Sequence, residues 1–136
     1  MKKITLLISA LILSFNASAA MVVIGHSSGI DALSVSDVKK LFMGKKTRLA
    51  NGEKAKIIEL ADGNAERLAF HAATTGRSES QLQSAWSRLV FTGKADAPTQ
   101  VADDIAMIKA VSSSTNAIGY IDEASVTAEI KVLLKL

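Results

Sequence analysis

The sequence predicts an α/β fold, a mixed sheet covered by helices, on three observations. Apolar runs rich in β-branched residues at 21–24, 57–60 and 117–121 alternate along the chain with stretches of helical period. Between residues 57 and 70 the chain leaves a strand, turns at Asp62-Gly63-Asn64 and opens a helix. Residues 129–136 alternate as a closing strand, with Ile130, Val132 and Leu134 on one side and Lys131, Leu133 and Lys135 on the other.

Composition is read after the first nineteen residues are set aside. Met1-Lys2-Lys3 is a basic start, residues 4–15 are an apolar run too short to span a bilayer, and Ala17-Ser18-Ala19 is a small-x-small cleavage signal. The expected organisation is a signal peptide over 1–19 and one exported, periplasmic domain over 20–136. No membrane insertion is expected after cleavage. Without Lys2 and Lys3, the 16 Lys and Arg fall to 14 against 13 Asp and Glu. A net charge of +1 lacks the field that nucleic-acid binding draws on. Lys45, Lys46 and Arg48 form one local basic cluster, read as a solvated loop or as a contact for an acidic partner. There is no cysteine, so the fold depends on its core, and thiolate sites and a lipid-modified cysteine are excluded. With only His26 and His71 available, no metal site or cofactor is expected.

Each element has a local reason. Residues 21–24 read as a buried strand that breaks at Gly25-His26-Ser27-Ser28-Gly29, a loop whose glycines and hydroxyls can approach a ligand or form an ordinary turn. Residues 34–43 read as a helix carrying Val38, Leu41 and Phe42 on one face, stopped by Gly44. A polar, turn-rich connection through Asn51-Gly52 leads to the strand at Ile57. The helix over 65–74 is expected to share Leu68, Ala69 and Ala72 on a face. Ser78 and Gln81 have capping-box spacing, ahead of Leu82, Ala85, Trp86, Leu89 and Val90 at helical period. Gly93 closes that helix, and residues 94–100, with Pro98, read as a loop. Asp103 caps a helix carrying Ile105, Met107, Ile108 and Val111, and the glycine inside the strand at 117–121 implies close packing against its backbone.

The corner at Asp62 carries the functional expectation. A strand entering a helix leaves the first amides without intrahelical partners and places the positive end of the helix dipole there, a receptive place for an anion. Asn64, with Asp62 behind it, also reads as a plain helix cap. The Gly25 and Asp62 loops both follow strands, where ligand loops of such sheets collect, and so can share an edge.

Val22-Val23, Leu41-Phe42-Met43-Gly44-Lys45, Ala61-Asp62-Gly63, Ser87 to Gly93 and Ala117-Ile118-Gly119-Tyr120-Ile121 stand in an order that resembles the substrate-binding protein of phosphate ABC transporters, above all its compact relatives. The resemblance runs over nearly the whole mature chain. It implies one lobe of a type 2 periplasmic binding protein, in a family where phosphate lies between two lobes. The family opens its helix with Ser-Gly-Thr after Asp-Gly and has an arginine two residues before that Asp. Here Leu60 stands in the arginine's place, and Asn64, Ala65 and Glu66 replace the other three. A carboxylate about 5 Å from a phosphate charge costs about 3 kcal/mol at an effective dielectric near 20. Arg67 is the nearby cation able to replace the missing one, although its place about 100° round the helix from Glu66 also suits a surface residue.

The implied function is an exported solute-binding-like domain that holds phosphate or another small oxyanion weakly, through Ser27, Ser28, Asp62, Gly63, Asn64 and Arg67. The alternative is a single-lobe interaction module of the cell envelope, meeting an envelope protein or a second copy, without high-affinity phosphate binding. An enzyme is not expected: His26 is too close in sequence to Ser27 and Ser28 to promise triad geometry, and no nucleophile motif is present.

Overall fold

The computed structural model describes residues 20–136, so the expected leader at 1–19 lies outside the described residues. Among the described residues the chain runs β1 (Met21–His26), α1 (Val35–Phe42), β2 (Lys56–Leu60), α2 (Ala65–Ala73), α3 (Glu79–Phe91), β3 (Thr99–Val101), α4 (Asp104–Ser112), β4 (Ala117–Asp122) and β5 (Ile130–Lys135). The five strands form one mixed sheet in the order β3-β2-β4-β1-β5. β3, β2 and β4 are parallel, while β1 runs antiparallel to both β4 and β5. The expected α/β class, a mixed sheet covered by helices, is what forms.

The central strands are the most apolar. Val22, Val23 and Ile24 of β1 have no exposed surface, and Ile118, Tyr120 and Ile121 of β4 are equally sealed. Gly119 sits beneath α4, where an added Cβ would lie 2.5 Å from Met107 Sδ, so the close approach implied by a glycine in that strand is real. Ser34 and Asp37 close a capping box on α1, whose Val38, Leu41 and Phe42 are buried.

Four expectations change. The loop expected over 94–100 ends early, because Thr99–Val101 forms a strand by pairing with the edge of β2, Ile58 opposite Thr99 and Leu60 opposite Val101. The alternation of β5 slips at a bulge, where Val23 faces Leu134 but Ile24 faces Val132, so Leu133 turns inward and is buried. On α3 only Leu82 and Trp86 of the five predicted apolar residues are buried, because the helix packs on the end of α1. There Trp86 Nε1 donates to the Phe42 carbonyl at 3.1 Å, and Gly44, at φ +69°, leaves room that a Cβ would contest with Leu89. On α2 the expected face is exposed, and the buried residues are Arg67, Phe70 and His71. The reason lies beneath them in β2.

Candidate functional site

Glu59 interrupts the apolar strand Lys56–Leu60 and has no exposed surface. A carboxylate there requires partners, because an unpaired charge out of water costs several kcal/mol. The turn of α2 that crosses it supplies two, Arg67 and His71, four residues apart and therefore on one face. Arg67 Nη1 lies 3.3 Å from Glu59 Oε2 and donates to the Leu60 carbonyl at 3.1 Å. His71 Nε2 lies 2.8 Å and 3.1 Å from the two Glu59 oxygens, with Nδ1 2.9 Å from Thr75 Oγ1. Tyr120 accepts the Leu60 N–H at 3.1 Å, and burial, with Glu59 nearby, pushes its phenol pKa up. Phe70 stacks on Tyr120 with ring centroids 3.9 Å apart. Arg67 is therefore an interior residue, 4% exposed, and not the surface residue its helical position suggested.

The outer side of the guanidinium meets two more carboxylates. Arg67 Nη2 lies 3.3 Å from Asp62 Oδ1 and 3.0 Å from Glu79 Oε2, while Nε donates to the same Glu79 oxygen at 3.1 Å. The other Glu79 oxygen accepts the Gly63 N–H at 2.6 Å. Burial works against the charge on Glu79, but the Gly63 amide and Arg67 overcome it and hold its carboxyl below the usual range. Asn64 Oδ1 accepts the Glu66 and Arg67 amides at 2.8 and 3.3 Å. Three of the amides that made the corner receptive to an anion are thus engaged by side chains of the chain itself.

The electrostatics follow from that inventory. Arg67 faces Glu59, Asp62 and Glu79, so three negative charges surround one guanidinium. Burial alone would lower the arginine pKa, and the carboxylates more than reverse it. Glu66 adds to the excess on the neighbouring side, where it meets Asp104. Glu66 Oε2 and Asp104 Oδ1 are both buried without another partner, an arrangement that disfavours charge on Glu66. The hydrogen bond with Asp104, burial, and the charges of Asp104 and Asp122 raise the Glu66 carboxyl to about 7.

Of the predicted ligand residues, Asp62, Gly63, Asn64 and Arg67 come together. Ser27 and Ser28 do not join them. Gly25 of β1 and Ile57 of β2 both pair with Ile118, but the two strands run in opposite directions from that row. The Ser27-Ser28 turn therefore lies at the other end of the sheet, against Thr115, with the Ser28 amide donating to His26 Nδ1 at 3.0 Å. The shared edge expected for the two loops is not formed. Glu59, His71 and Glu79 were not anticipated, though a lone glutamate inside Ile-Ile-Glu-Leu was a legible signal that a cation had to meet it. An open cleft of about 610 Å³ beside Arg67, between α3 and β3, exposes Asp62, Val90 and Phe91. Among the described residues no group of three or more His, Cys, Asp or Glu is arranged to hold a metal ion.

Three solved structures of similar fold are named as proteins of phosphate transport. The chain superposes on an ABC-type phosphate transport receptor from Vibrio cholerae with a TM-score of 0.67 at 15% identity, covering 84% of this chain and 45% of that one. A phosphate ABC transporter substrate-binding protein with bound phosphate from Clostridium perfringens gives 0.68 at 18%, covering 84% and 44%. PstS from Borrelia burgdorferi gives 0.65 at 14%, covering 84% and 46%. The chain thus has the fold of one lobe of a PstS-like binding protein and spans less than half the length of these proteins. No protein-family model matches the sequence, and no curated protein matches it.

Proposed function

We propose that this chain is an exported single-lobe relative of the phosphate-binding proteins, a domain over 20–136 that works through contact with another protein of the cell envelope, without high-affinity phosphate capture. The observation that argues against high-affinity phosphate capture is the position of Glu79. Its carboxylate bridges the Gly63 N–H and the Arg67 guanidinium, the donors an oxyanion would use at this corner. An incoming phosphate must displace that carboxylate and then meet Asp62 on the outer side of the guanidinium, a charge that repels it by an amount on the order of 3 kcal/mol at 5 Å. The neighbours in fold are named as a transport receptor and substrate-binding proteins, which favours recognition over catalysis.

Calorimetry of the purified mature chain with phosphate and sulfate tests the carboxylate's role. The native chain is expected to give no saturable heat at millimolar anion, whereas Glu79→Ala, which frees the Gly63 amide and part of Arg67, gains millimolar phosphate binding. Micromolar phosphate binding by the native chain overturns the reading. The interaction half fails if the mature chain remains strictly monomeric in light scattering and retains no protein from an envelope extract.

A further inference from the structure

At the opposite end of the sheet from Asp62, where β2 and β4 begin, a cavity of about 330 Å³ opens beside the Gly44 turn. That volume falls in the range of small-molecule sites. Its inner wall includes Ile57 and Trp86, each 8% exposed, with Leu41 sealed behind them. Lys46, Lys54 and Lys56 also line it, with Asp96 as the one carboxylate among the lining residues. Lys46 is held by Asp37 at 3.2 Å and Lys54 by Asp96, while Lys56 meets no carboxylate in an ion pair among the described residues. Even with Asp37 counted, positive charge is in excess. The Lys54–Asp96 pair is also easily exchanged, since the two side chains are 57% and 80% exposed.

We infer that this cavity is a binding site for a small organic anion, a carboxylate or phosphate monoester carried on a compact apolar body. The body rests against Ile57 and Trp86, and the anionic head takes the place of Asp96 at Lys54 and meets Lys56. The two parts of the ligand answer two parts of the site. An inorganic anion leaves the apolar wall unused, and a cation of the same shape meets net repulsion. The assignment is independent of Glu79 and Arg67, which lie at the other end of β2.

Trp86 is the only tryptophan and lines the cavity, so its emission reports on the site in the purified full chain. Because Trp86 also borders the cleft next to Arg67, charge variants locate the response. The probes are phenyl phosphate, benzoate, benzylamine and inorganic phosphate. Phenyl phosphate or benzoate is expected to shift the emission saturably at millimolar concentration or below. The double variant Lys54→Glu/Lys56→Glu should weaken binding by about tenfold or more, and Asp96→Asn should strengthen it by a few fold. Glu79→Ala should leave the Kd unchanged. The inference is overturned if neither organic anion gives a saturable response, if the double variant binds as the native chain does, or if benzylamine or inorganic phosphate binds as tightly as phenyl phosphate.

Discussion

The two ends of β2 handle charge in opposite ways. Beyond Leu60, the guanidinium of Arg67, a residue 4% exposed, is enclosed by Glu59, Asp62 and Glu79. Before Ile57, three ammonium groups on long stems line a partly apolar cavity, and the two that have carboxylate partners, Lys46 and Lys54, pair with ones that are exposed or half-buried. The first end has the backbone geometry associated with anion recognition, but its cation is already spent on internal carboxylates. The second has no motif, yet its positive charge remains accessible. A strand-turn-helix corner identifies where an anion can sit; the surrounding charge determines whether it will.

The largest expected effect lies at the enclosed end. Arg67→Met keeps the length of the side chain but leaves Glu59 sealed without its guanidinium, and breaking a buried pair in this way costs about 3–5 kcal/mol. Urea unfolding of the purified chain measures it through the transition midpoint. Restoring part of the loss with Glu59→Gln in the same chain attributes the effect to the stranded charge and not to packing. A loss under about 1 kcal/mol would show that Arg67 is not the keystone of this end.

That network also marks the limit of what the sequence made legible. The strand at Ile57, the Asp62 turn and the caps at Asn64, Ser78 and Asp103 depend on local chemistry and form where the residues indicate. The face of α2 did not follow apolar period, because Glu59 recruits Arg67 and His71 inward and leaves Leu68 44% exposed. β3 and the β5 bulge are decided by pairing across the sheet, which neighbouring residues do not encode. Glu79 reaches Gly63 from sixteen residues away, across the Thr74–Ser78 connection, so no spacing rule within one element reveals it. The antiparallel placement of β1 relative to β2 separated Ser27 and Ser28 from Asp62 for the same reason.

A smaller effect belongs to the carboxyl pair at the acidic end. The Glu66 carboxyl is raised from 4.5 to about 7 by Asp104, so the folded state holds this proton more tightly than the unfolded chain. Its contribution to stability is fully present below about 4.5 and is lost as pH rises through about 7, when the Glu66 carboxyl becomes charged. Glu79 has the opposite sign: held low, it stabilises above the unfolded value, and that contribution is lost only in acid. Glu66→Gln, which keeps a donor for Asp104, is expected to remove the neutral-range slope and to stabilise the chain by about 1–3 kcal/mol near pH 8. Equal unfolding midpoints for the variant and the native chain across that range would mean that the Glu66 carboxyl is not raised in the folded chain.

The smallest effect is expected at the open end. Lys54→Met deletes a full charge, as Arg67→Met does, but its partner Asp96 is 80% exposed and returns to water instead of being stranded. Exposed pairs of this kind are worth about 0.2–1 kcal/mol, so the unfolding midpoint should barely move, and added salt should erase what difference there is. The same substitution is expected to weaken anion binding at the cavity, a loss of recognition without a comparable loss of fold. If Lys54→Met instead destabilises the chain by several kcal/mol, its ammonium is structural, and the charge at this end is no more available to a ligand than that of Arg67.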